Sequence, residues 1–360
     1  MACRSPSGIA SWTNHVRGCI ALLQLRGKEQ LRSPAGRALF RRNRAEIVQI
    51  PSHLFDLQRT DVEKLLSCFQ MGCRVPSALS DLALEMRRSK YPLDIAYHSL
   101  MDLHTELCDF RASVRELAIS DPVSIVLTLA VFDKKLRAWA DGLPSEWNYR
   151  TIFTSDGAHE IYQDTYHVYP SLSIAITWNF YRSMRILVQS GILQQLKGLN
   201  YEGESPTSSW LGEQKLQSQA IISEMAFDIC ASAPDQLGYG NPNSGWATFQ
   251  PPAGPAAFLL IPLRVAVGWT GVPRSMKEYV TRRLWYIGNA LGVHEALLMA
   301  ELVQTTLDAT SLEAMKNEAE RQNSCGKDVI DGQGIIVGEL DEIGCGFIDW
   351  SKSELAEGIS

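Results

Sequence analysis

None of the eight cysteines, at positions 3, 19, 68, 73, 108, 230, 325 and 345, belongs to a C-x-x-C pair. In a reducing compartment such thiols serve as small buried apolar groups, and no disulfide framework is expected. Long apolar runs are also scarce. The longest, Ala256 to Leu263, contains Pro262 and is closed by Arg264, well short of the roughly 20 residues that cross a bilayer. The start, Met1-Ala-Cys-Arg-Ser-Pro6, has no apolar signal-peptide core. The cytosol or the nucleus is therefore the expected compartment, with no membrane partner.

Familiar catalytic signatures are missing too. There is no G-x-x-x-x-G-K-[ST] phosphate cradle, no G-x-S-x-G elbow and no H-E-x-x-H zinc helix. Gly332 and Gly334 precede their candidate strand, whereas a dinucleotide fingerprint follows one. The D-D-x-x-D motif that large all-helical enzymes place on a metal-binding helix does not occur. No repeat of 20 to 50 residues is evident, so a regular solenoid is not expected. Strand-like alternation is sparse, and Gly334-Ile-Ile-Val-Gly338 is an isolated candidate.

Helix signals dominate what is present. The chain has 360 residues, 45% of them apolar and 21% charged, enough for a large core. Trp12, Val16, Cys19 and Leu23 share one helical face, and Gly27 supplies a stop. Ser33 and Pro34 read as an N-cap followed by proline at the first helical position, with that helix running toward Pro51. Asp94 opens a long helix through Leu117. Asp121 and Pro122 give the clearest start. Ile125, Leu129, Phe132, Leu136 and Trp139 follow on one face, and Gly142 and Pro144 end the helix.

Residues 145–170 read as a structured loop. Further helices are expected from about Ser171, over Glu213 to Ala231, and near Pro255, Ser275 and Val293, with Gly292 as a stop. Residues 195–212 are polar and rich in Gly, Ser and Pro, which marks a linker. The expected fold is all-α, an irregular multi-helix domain with long loops. It would span residues 1–310, followed by an acidic, partly disordered tail over 311–360.

Charge is uneven. Residues 1–60 carry ten Lys/Arg against Glu29, Glu46 and Asp56, and residues 325–360 carry Lys327 and Lys352 against eight acids. Arg37, Arg41, Arg42 and Arg44 form a basic patch suited to nuclear import or phosphate contact, or to a solvated helix face. His104 and Cys108 share a helical face. Two ligands do not make a metal site, so a histidine beside a core cysteine is the plainer expectation. Trp178-Asn179-Phe-Tyr181-Arg182 suits either a ligand pocket or a packed helix, and packing is the preferred expectation. Asp121 is expected to cap its helix, Trp139 and Trp178 to pack on apolar faces, and Arg182 to tie a loop carbonyl or carboxylate. No catalytic, cofactor or metal residue is assigned.

Four blocks, in this order, resemble one family. They are Trp12-Thr-Asn-His15-Val-Arg-Gly18 with Leu22-Leu23-Gln-Leu-Arg26-Gly27 and Gly36-Arg-Ala-Leu-Phe40; Asp121-Pro122 with Leu136-Arg-Ala-Trp139 and Leu143-Pro144-Ser-Glu-Trp147-Asn-Tyr149; Tyr166-His167-Val-Tyr169 with Trp178-Asn179-Phe-Tyr181-Arg182-Ser-Met-Arg185-Ile186; and Pro262-Leu263 with Leu284-Trp-Tyr-Ile287-Gly288 and Leu291-Gly292. The chain is similar over residues 11–307 to the regulatory domain of fungal binuclear-zinc-cluster transcription factors. The six-cysteine cluster of that family is absent, and Ile261 stands where the family often has Trp.

The resemblance implies a nuclear, helical regulator of a metabolic or secondary-metabolite pathway that needs no cofactor. It would act through other regulatory proteins or a homodimer partner, with no sequence-specific DNA binding of its own. A helical biosynthetic enzyme with an unlisted motif is the alternative.

Overall fold

The computed structural model describes residues 18–37, 39–40, 74–75, 77–86, 92–155, 158–197, 199, 206–239, 253–269 and 271–307. The described part is all-α apart from one two-stranded sheet. Its labelled helices are α1 (Ser77–Met86), α2 (Pro92–Arg115), α3 (Pro122–Asp141), α4 (Leu172–Lys197), α5 (Pro206–Gln236), α6 (Ala253–Ala257), α7 (Leu260–Ala266) and α8 (Arg274–Leu291). Helical stretches also cover residues 18–26, 34–37 and 294–307. The candidate strand at Gly334–Gly338, the tail over 311–360, and Arg41, Arg42 and Arg44 lie outside the described residues.

Local chemistry sets the helix ends. Asp121 is extended at φ −76°, and its Oδ2 accepts from the Ser124 backbone N–H at 2.8 Å and from the Ser124 hydroxyl at 2.6 Å. Two donors are thereby satisfied at a terminus where helical amides lack partners. These bonds hold the Asp121 carboxyl below its ordinary value. Ser33 Oγ likewise accepts from Gly36 N–H at 3.0 Å, ahead of Pro34. At the far end of α8, Gly292 adopts φ 74° and its N–H reaches Ile287 O, a left-handed stop that a side chain would strain.

Three boundaries differ from those expected. The long helix begins at Pro92, before Asp94. Helix α5 runs from Pro206 to Gln236, longer than Glu213 to Ala231 at both ends, so the C-terminal part of the 195–212 stretch is helical. The segment expected as a loop over 145–170 holds a 3-10 turn, Ser145–Trp147, and an antiparallel hairpin. Strand β1 (Arg150–Phe153) pairs with β2 (Thr165–Val168), Arg150 opposite Val168 and Phe153 opposite Thr165. Strand β2 packs on α5 and is buried at Thr165, His167 and Val168. A strand covered on both sides shows no polar–apolar alternation, which is why the sequence pattern did not reveal it.

Helix α4 is the centre of the fold, packed on α3, α5 and α7. Val188, Ile192, Ile222, Ile229, Leu260 and Leu263 are all sealed in the resulting core. A helix buried nearly all round is normally apolar. Helix α4 nevertheless buries Asn179, Arg182, Ser183, Arg185 and Gln189, and these polar side chains require partners.

Candidate functional site

Those partners come from three directions. Arg182 is 1% exposed. Its Nη1 donates to the Tyr169 hydroxyl at 2.6 Å and to Asn179 Oδ1 at 3.0 Å, and its Nε lies 3.4 Å from Asp228 Oδ2 on α5. The guanidinium carbon sits 5.0 Å from the Tyr149 ring centre, 5.6 Å from Trp178 and 5.8 Å from Tyr169, within the range of cation–π attraction. Arg182 Nη2 has no acceptor among the described residues, so the aromatic faces are the contacts left to that end of the fork.

Asp228 also meets His167 on β2, with Oδ1 at 3.4 Å from Nε2. His167 Nδ1 lies 3.2 Å from the Thr151 hydroxyl. One tautomer satisfies both contacts: Nε2–H donates to Asp228, and Nδ1 accepts from Thr151. Burial holds the His167 imidazole below its ordinary value, overcoming the upward pull of Asp228. Burial raises Asp228, but the His167 hydrogen bond and the Arg182 charge outweigh it and keep the carboxyl below the usual range. The resting arrangement at neutral pH is a neutral imidazole, an ionised carboxylate and a charged guanidinium.

Further links extend the network along α5. Asn179 Nδ2 donates to Ser232 Oγ at 2.7 Å, and Ser232 Oγ lies 3.0 Å from Asn179 Oδ1. Asp235 Oδ2 accepts the Tyr169 backbone N–H at 3.1 Å, and burial pushes its carboxyl up to about 6. One turn beyond Arg182, Arg185 grips Asp133 of α3 with two bonds, Nε–Oδ1 at 2.8 Å and Nη2–Oδ2 at 3.2 Å. The two arginines of α4 thus tie it to α5 on one side and α3 on the other.

The structure brings together three of the four residues singled out as cap and core. Trp139 lies 6.0 Å from Trp178, ring centre to ring centre, and Trp178 is beneath Arg182. Trp139 Nε1 donates to Ala96 O at 2.8 Å, and Trp178 Nε1 donates to Trp147 O at 3.0 Å. Asp121 stands apart at the opposite end of α3, roughly 27 Å away by helical rise. Arg182 meets a carboxylate, a phenol and an amide, not a loop carbonyl. Asp228, His167, Tyr169 and Asp133 were not anticipated. Arg37 Nη1 donates to Leu31 O at 3.0 Å and Arg32 O at 3.1 Å, closing its own turn. His104 Nε2 lies 4.0 Å from Cys108 Sγ in the core. No group of three metal-ligating side chains gathers among the described residues.

The surface offers a second place of interest. An open cleft between α2 and α3 is lined by Ile95, Asp102, Leu103, Glu106, Lys135 and Trp139. An exposed ion pair, Lys135 Nζ to Glu106 Oε2 at 2.6 Å, crosses it. Beside it the outer face of α3 carries Val123, Leu127 and Val131, which are 40%, 52% and 54% exposed. No protein-family model, curated protein or solved structure matches the chain.

Proposed function

We propose that this chain is a helical regulatory module that acts on transcription through protein–protein contacts in the nucleus, without reading DNA sequence itself. The observation that carries the reading is the line of exposed aliphatic side chains on α3. Val123, Leu127 and Val131 recur every four residues on one face, while the opposite face, with Ile125, Leu129 and Leu136, fills the core. Water-facing aliphatics in a row on a well-anchored helix suit a macromolecular contact.

A second support is the use made of the ionisable groups. Arg182, Asp228 and His167, the closest approach to a catalytic constellation among the described residues, bond to one another and hold α4, α5 and β2 in register. A nucleophile or base must reach a substrate atom, and Arg182 is sealed from solvent. The resemblance of the four sequence blocks to a fungal regulatory domain points the same way.

Among the described residues, the enzyme alternative would stand at the α2–α3 cleft with Asp102 and Glu106. The two readings separate experimentally. The full chain is fused to a heterologous DNA-binding module and placed beside a reporter promoter. The expected result is a severalfold change in transcription that Asp102→Asn and Glu106→Gln leave intact. An inert fusion, together with a turnover that those substitutions abolish, would establish the enzyme instead.

A further inference from the structure

A sealed charge without a partner is costly, so a buried arginine normally meets a carboxylate. Arg182 has Asp228 and Arg185 has Asp133. Arg283 of α8 departs from this pattern. It is 8% exposed, and its Nε is sealed with no acceptor among the described residues. No carboxylate among those residues lies within ion-pair distance of it. Glu278, the one carboxylate on α8, is held instead by Arg274 at 2.8 Å.

Two tyrosines flank the guanidinium. Its carbon sits 5.7 Å from the Tyr279 ring centre and 5.8 Å from that of Tyr286. The rings attract the charge but leave the N–H donors without oxygen acceptors. The Tyr279 hydroxyl is already committed to backbone, donating to Glu160 O at 3.0 Å and reaching Cys230 O at 3.3 Å. Tyr286 is 37% exposed, so Arg283 lies beside a ring that opens to solvent. Arg282 is exposed and has no ion-pair partner among the described residues. Tyr286 follows Arg283 by three residues and Arg282 by four, so both arginines border it on the helix surface.

We infer that Arg283, with Arg282, forms an oxyanion site beside Tyr286 that takes the phosphate group of a small molecule. Two guanidiniums match a dianion in charge, and the planar fork of arginine matches phosphate oxygens in geometry. The site is on a different helix from the α3 contact face, so it stands or falls independently of that reading.

Titration calorimetry of the full chain at pH 7.5 tests it, with inorganic phosphate, phenyl phosphate and acetate as probes at one ionic strength. Saturable phosphate binding with a Kd on the order of 1 mM or tighter is expected. Acetate, with a single charge, should bind severalfold more weakly. Phenyl phosphate binding tighter than inorganic phosphate assigns the site to an ester with an apolar body, and equal binding assigns it to the free anion. Arg283→Met should weaken phosphate roughly tenfold or more, as loss of charge-assisted hydrogen bonds does. Arg282→Gln should weaken it less, and Lys134→Gln, at an exposed cation on α3, should leave it unchanged.

Melting without phosphate gives a readout that a purely structural arginine would move the other way. Arg283→Met removes a buried charge and keeps the apolar bulk, so it should hold or raise the melting temperature of the phosphate-free chain. A fall of several degrees would show that the fold itself compensates Arg283 and would overturn the proposal. So would the absence of saturable phosphate binding, binding indifferent to Arg283→Met, or equal weakening by Lys134→Gln, which would mean diffuse attraction to surface cations.

Discussion

Arg182→Leu is the most informative single change in the interior. It removes the donor to the Tyr169 hydroxyl, one donor to Asn179 and the cation facing Asp228. Asn179 keeps Ser232 as a donor and Asp228 keeps His167, so the loss centres on an uncompensated carboxylate. Breaking a buried pair from one side costs about 3–5 kcal/mol. The Asp228 side chain is 20% exposed, and water reaching it moves the expectation to the lower end, about 3 kcal/mol. At an unfolding entropy of about 2.1 cal/mol/K per residue, a chain of 360 residues shifts by roughly 1.3 °C per kcal/mol, so the melting temperature should fall by about 4 °C. The assay is calorimetry of parent and variants at pH 7. Removing both charges in Arg182→Leu with Asp228→Leu should recover at least half of the loss, because no bare carboxylate then remains. An Arg182→Leu protein melting within about 2 °C of the parent would refute the assignment of Arg182 as the tie between α4 and α5.

Three further outcomes follow from individual residues. Asp235 titrates near 6 in the fold against 3.8 when free, so the native state binds its proton more tightly and loses stability as pH rises from about 4 to about 6. Asp235→Asn should therefore stabilise the protein by about 3 kcal/mol at pH 7 and by far less near pH 4, read from urea unfolding at both pH values; an equal effect at both would disprove the burial argument. Asp121→Ala should lower the melting temperature while Asp121→Asn holds it, since Asn still caps α3; equal losses would show that charge, not capping, matters there. Gly288→Ala should destabilise by about 1–3 kcal/mol, because a Cβ there would meet Leu297 Cδ2 at 2.1 Å and Cγ at 2.6 Å; thermal melts indistinguishable from the parent would mean that the helix over residues 294–307 shifts at no cost.

Helix ends were legible because their chemistry is local. Asp121 with Ser124, Ser33 with Gly36, and Gly292 each act within a few residues. The hairpin was not legible, because β2 gains its burial from α5, far along the chain. Helix α5 overran its expected start because the polar stretch over 195–212 reads as linker, while proline is compatible with a first helical position and the helix begins at Pro206. For the site, the burial of Trp139 could be read from its place on the face of Ile125, Leu129, Phe132 and Leu136. The identity of Arg182's counter-charge could not. Asp228 sits on another helix, and no local spacing marks which of the chain's carboxylates folds against a given arginine. The apolar stripe on α3 was present in the sequence but indistinguishable from core until α2 and α4 were seen to cover only the other face.

The most direct test of the account places the full-length fusion beside a reporter promoter and compares Leu127→Glu with Leu216→Glu. Both replace exposed leucines, so both should fold like the parent by circular dichroism. The account predicts that Leu127→Glu abolishes most of the transcriptional effect and that Leu216→Glu preserves it. Full activity of the Leu127→Glu fusion, or equal loss in both variants, would contradict the claim that this chain acts through the outer face of α3.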